Sequence, residues 1–168
     1  MTKIRPFKAI RPNRDIANLF ATRSYLTYSN ETLKEKLDNN PYTFLHIINP
    51  DFYNNIKQKG VNKFKKVKEK YNRFIEKLYL KKEDIPAFYI YEQQSEENKF
   101  EGIIGAVSIK EYLSGNIKKH EHTIPEREML FSNYLSITEF NADPVLICHR
   151  EERVLNELIL KYKKTRSE

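Results

Sequence analysis

The chain has 168 residues, 39% hydrophobic and 32% charged, with only four glycines, which fits one domain around a single core and excludes low-complexity or collagen-like character. Its formal charge of +7 is local: residues 57–82 carry eleven Lys or Arg against two Glu, so the rest of the chain is slightly acidic. No run approaches the roughly 20 apolar residues of a membrane helix, and the single cysteine, Cys148, excludes an internal disulfide or a cysteine zinc site.

The start, Met1-Thr2-Lys3-Ile4-Arg5-Pro6, lacks the apolar core of a signal peptide. The expected compartment is therefore the cytoplasm.

In chain order, residues 4–10 read as an opening strand interrupted by Pro6 and closed by Pro12. Residues 30–37 read as a short helix capped by Ser29 or Asn30, and Asn39-Asn40-Pro41 ends it. The apolar run Phe44-Leu45-His46-Ile47-Ile48 reads as a buried strand. In the basic stretch, Val61, Phe64, Val67, Tyr71, Phe74, Ile75 and Leu78 recur at helical spacing with lysines between them. A long amphipathic helix follows from that spacing, expected to cross a sheet and to stop at Pro86.

Residues 87–92 and 102–109 read as strands of a hairpin joined by a polar link, and 110–113 as a turn of helix before the tight turn Ser114-Gly115-Asn116. A helix from about residue 124 to 137, a strand at 144–148 and a helix at 151–164 complete the chain. The expectation is a single α+β domain spanning 1–168, a mixed sheet with flanking helices.

The segment richest in chemistry is Lys118-Lys119-His120-Glu121-His122-Thr123, running into Pro125, Glu126 and Arg127. Thr123 and Glu126 have the spacing of a capping box. A helix opening presents unpaired N–H groups and a positive dipole end, which suit a phosphate. Lys119, Thr123 and Arg127 are the candidate phosphate ligands. Glu121 is the candidate general base and His120 an acid or phosphate ligand. The same string also reads as a polar loop with a good N-cap. A His-x-His zinc site has too few ligands in sight. His46 and His149 lie in apolar runs and read as core histidines. The lysine-rich helix reads as a solvated face, and nucleic-acid binding is the lesser expectation because no RNA motif, zinc finger or glycine-rich phosphate loop accompanies it.

Four segments together resemble a known family. Ile4-Arg5-Pro6-Phe7-Lys8-Ala9, Asn40-Pro41-Tyr42-Thr43-Phe44-Leu45-His46, Gly102-Ile103-Ile104-Gly105 and Lys119-His120-Glu121-His122-Thr123 look like the amino-terminal part of domain of unknown function 1015. The resemblance implies an HExT motif and a core similar to ParB-like proteins and free-serine kinases. It also implies a longer protein, of which this chain is the amino-terminal part. The implied activity is phosphotransfer or phosphate-ligand binding linked to serine or phosphoserine, with Mg²⁺ and a nucleotide such as ATP or ADP. The alternative is a ParB-like nucleotide or nucleic-acid binding module without catalysis. Under this resemblance His120, Glu121 and Thr123 form the catalytic and phosphate element, Arg127 follows as its basic residue, and His46 faces the same pocket from a neighbouring strand. Where many members carry an Asp-Arg pair, this chain reads Leu130-Phe131.

Overall fold

Residues 2–119 and 124–165 are described by a computed structural model. In chain order they form β1 (Ile4–Arg5), β2 (Ile10–Pro12), α1 (Ala17–Phe20), α2 (Asn30–Asn39), α3 (Leu45–Ile48) and α4 (Gly60–Glu76). There follow β3 (Leu80–Lys82), β4 (Tyr89–Gln94), β5 (Lys99–Ile104), β6 (Ala106–Val107), α5 (Ile109–Leu113), α6 (Pro125–Thr138) and α7 (Arg153–Thr165). Helices with small sheets make this an α+β fold. The described strands do not join into one mixed sheet, however. They form three antiparallel pairs, β1–β6, β2–β3 and β4–β5. Four of the six strands are two or three residues long, which leaves little backbone to pair with a further strand.

By its internal packing the chain gathers into two units. One comprises Met1–Phe7, Ala87–Asn116 and Ala142–Glu168, the other Lys8–Pro86 and Ile117–Asn141.

The second unit is organised by α4. Val67, Tyr71 and Phe74 fall on one helical face and are buried. With Ile47 and Leu80 they form a core flanked by Phe20, Phe44, Tyr134 and Phe140. Tyr71 stacks on Phe140 with ring centroids 4.4 Å apart, and Phe64 meets Tyr134 edge-on at 5.3 Å. The long helix therefore lies against α6 and α3, not across a sheet. A second cluster joins Leu33 and Leu37 of α2 to Leu45 of α3. Ser29 caps α2 as its sequence implies, its hydroxyl accepting the Thr32 N–H at 3.1 Å.

Residues 45–48 form a helical turn, where a buried strand was expected. The Ile47 N–H donates to the Phe44 carbonyl and the Asn49 N–H to the Leu45 carbonyl, both at 2.9 Å. Leu45 and Ile47 are fully buried all the same. A short apolar run satisfies either conformation, and periodicity alone does not separate them.

The long helix also ends sooner than Pro86 would make it. Leu78 adopts φ 58°, its N–H donating to the Ile75 carbonyl, while the Tyr79 N–H donates to the Phe74 carbonyl. This is a Schellman closure, completed by an edge-on contact of Phe74 with Tyr79 at 5.4 Å. Glycine usually occupies that left-handed position; here a leucine does, so no glycine marks the stop.

In the first unit, β4 and β5 form a hairpin, in register from Tyr89↔Ile104 to Gln94↔Lys99; its second strand lies earlier than the 102–109 expected, and residues 106–107 pair with β1 instead. Phe7 bridges to Ala87 and packs edge-on against Tyr89 at 5.2 Å. A Cβ on Gly105 would stand 2.5 Å from the Ile4 Cγ2 and 3.1 Å from the Phe88 ring, so close approach requires glycine there. From α7, Lys163 hydrogen-bonds both Glu92 and Glu101, which face each other across the hairpin. These bonds raise the Lys163 pKa and lower that of Glu92.

Residues 144–148 are not a strand. Val145 and Leu146 stand 83% and 87% exposed, with no ladder partner among the described residues. Pro144 removes a donor at the start of the run, and β-propensity without a neighbouring strand gives no sheet. His149, expected in a core, is exposed; its Nδ1 bonds the Arg150 carbonyl at 2.6 Å.

Candidate anion-binding site

The loop between α3 and α4 turns on Asp51, whose side chain is only 6% exposed. Its carboxylate accepts Lys66 Nζ at 2.6 Å, Asn54 Nδ2 at 2.7 Å and the Gln58 N–H at 3.1 Å. Its backbone carbonyl accepts Lys57 Nζ at 2.8 Å. The Lys66 hydrogen bond is the main cause that holds the Asp51 carboxyl below the usual carboxylate range, against the opposing effect of burial. A buried charge is tolerated because every donor it needs converges on it.

Beside Asp51 lies a pocket of about 240 Å³ lined by Pro50, Asp51, Asn54, Lys66, Glu69, Lys70 and Arg73. Helical spacing explains the lining: Lys66, Lys70 and Arg73 are four and three residues apart, so they share one face of α4. Lys66 is committed to Asp51. Lys70 and Arg73 make no ion pair among the described residues. The buried acid is thus neutralised within the protein, while Lys70, Arg73 and the exposed Glu69 line the cavity without an ion pair among the described residues. A guanidinium and an ammonium so placed suit an anion with several oxygens.

His46 belongs to the same neighbourhood. It sits on α3, half-buried, and its Nε2 donates to the Asn40 carbonyl at 3.0 Å. Burial chiefly lowers its pKa, and the nearby charge of Lys70 lowers it further. It is held neutral near pH 7, from a helix instead of the strand expected.

Of the other residues singled out by sequence, His120, Glu121, His122 and Thr123 lie outside the described residues. Lys119 and Arg127, on either side of them, are exposed. The helix opens one residue later than the capping-box spacing requires. Ile124 is the N-cap and makes no side-chain cap bond, Pro125 is the first helical residue, and Glu126 falls second where the box needs it third. Pro125 has no N–H, and the Arg127 N–H donates to the Ile124 carbonyl at 2.9 Å. Of these first three helical residues, Glu126 alone has an amide without a partner among the described residues, and Glu126 and Glu128 add negative charge in that turn.

The pocket residues Asp51, Asn54, Lys70 and Arg73 were not singled out by sequence reading. The available signal was the spacing of Lys66, Lys70 and Arg73 on one face, hidden among the other lysines of the stretch. Among the described residues no group of three His, Cys, Asp or Glu is arranged to hold a metal, and no helix is long and apolar enough to cross a membrane.

Fold and pocket define a small α+β protein with a basic cavity anchored on a buried aspartate. Residues 4–168 match the family described as a protein of unknown function (DUF1015), nearly the full length, and the chain belongs to that family. No curated protein and no solved structure matches it.

Proposed function

We propose that this chain binds a phosphorylated small ligand, and that phosphotransfer linked to serine or phosphoserine is the activity it serves. The observation that carries the reading is the pair Lys70 and Arg73, unpaired among the described residues, at a pocket whose buried carboxylate, Asp51, is already neutralised by Lys66 and whose other carboxylate, Glu69, is exposed. Phosphate oxygens carry up to two charges near neutral pH and accept charge-assisted hydrogen bonds, which is what such a pair offers.

Asp51 does not fit as a Mg²⁺ ligand, because its oxygens accept three protein donors. The pocket residues bind and orient the phosphate. Glu121, from the resemblance, is the candidate base and Lys119, His120, Thr123 and Arg127 the candidate partners of a second phosphate contact.

The reading predicts that phosphoserine raises the melting temperature of the protein, and that Glu121→Ala abolishes serine-dependent turnover of a nucleotide while leaving that shift in place. Absence of any shift with phosphoserine, inorganic phosphate or ATP would remove the reading altogether.

A further inference from the structure

The pocket is not lined by cations alone. Glu69 sits in the same wall, between Lys66 and Lys70 on α4, and it makes no ion pair among the described residues. A carboxylate beside an anion site repels the anion unless a cation of the ligand meets it. Asp51 does not play that part, since its side chain is buried and its charge is already met by the Lys66 ammonium. Glu69 is exposed and has no such commitment. The wall therefore offers two donors of positive charge, one acceptor of negative charge and the Asn54 amide, all around about 240 Å³.

Size and surface narrow the occupant further. Drug-sized ligands fill roughly 300–1,000 Å³, and this cavity is smaller. No aromatic ring lines it, so nothing is present to stack a nucleobase.

We infer that the pocket takes a small zwitterionic phosphate monoester bearing an amino group, with the phosphate on Lys70 and Arg73 and the ammonium on Glu69, and that it does not take a nucleotide. This rests on the phosphate-binding reading above. The assignment divides the labour on one helix face: Lys70 and Arg73 hold charge, Glu69 selects, and Asp51 keeps Lys66 out of competition with the ligand's ammonium.

The test uses the full chain and calorimetric titration at low ionic strength with four probes: inorganic phosphate, glycerol 3-phosphate, O-phosphoethanolamine and AMP. O-phosphoethanolamine is expected to bind about fivefold more tightly than glycerol 3-phosphate, the scale of one exposed ion pair. Glu69→Gln, at an exposed residue with no ion pair among the described residues and with its fold checked by circular dichroism, is expected to erase that difference by weakening O-phosphoethanolamine binding and strengthening inorganic phosphate and glycerol 3-phosphate binding. Equal affinity for the two esters in the unaltered protein, or a difference that survives Glu69→Gln, overturns the inference but spares the phosphate reading. AMP binding more tightly than either ester also overturns it. If no probe binds, including inorganic phosphate, the phosphate reading itself falls and this inference with it.

Discussion

Replacing Lys66 by Met and Asp51 by Asn, singly and together, isolates the ion pair that supports the pocket. The pair is intermediate in burial: the Asp51 side chain is 6% exposed and that of Lys66 35%. Exposed pairs contribute about 0.2–1 kcal/mol, whereas breaking a fully buried pair costs about 3–5 kcal/mol. Lys66→Met leaves Asp51 its Asn54 and Gln58 donors, so a loss of about 1–2 kcal/mol is expected. Asp51→Asn costs more, about 2–3 kcal/mol, because one acceptor oxygen becomes an NH₂ that must face either the Gln58 N–H or the Lys66 ammonium. The coupling energy from the double-mutant cycle should then be about 1–2 kcal/mol. With eleven Tyr and no Trp, urea unfolding followed by tyrosine fluorescence reads each variant. Additivity within about 0.3 kcal/mol would refute the claim that Asp51 and Lys66 act as a unit.

Three further outcomes follow from single features. Leu78→Gly should stabilise the protein by about 0.5–1 kcal/mol in the same assay, because relief of a left-handed leucine outweighs the added freedom of the unfolded chain; the side chain is 72% exposed, so little packing is lost. Gly105→Ala should destabilise by about 1–3 kcal/mol through its clash with Ile4 and Phe88, read as a lowered urea midpoint. His46 has a lowered pKa in the folded state, so the unfolded chain takes up the proton first on acidification. Its contribution is present above about pH 6.5 and is lost as pH falls below that value toward the folded pKa. Urea midpoints measured against pH should fall less steeply in His46→Gln over that window.

Much of the architecture was legible because it is encoded locally. The Ser29 cap, the existence though not the bounds of the hairpin, the turn at Gly115 and the core stripe Val67, Tyr71 and Phe74 all follow from spacing and turn chemistry that few residues decide. What was misread depended on partners distant in sequence. The run at 44–48 became a helix because Phe44 docks on the Phe20 carbonyl and the turn continues from there. Residues 144–148 looked equally strand-like but meet no ladder partner among the described residues. The end of α4 depends on a leucine in a glycine's place, and composition carries no mark of it. The pocket was hidden for another reason. Eleven basic residues crowd residues 57–82, and only the fold shows that Lys66 is spent on Asp51 while Lys70 and Arg73 are not.

Calorimetric titration of inorganic phosphate into the protein and into its Lys70→Ala, Arg73→Ala double variant addresses the central claim most directly. Neither side chain holds an ion pair among the described residues, so the variant should keep its circular dichroism and melting temperature while phosphate affinity falls roughly tenfold or more. Unchanged affinity in a folded double variant would contradict the account.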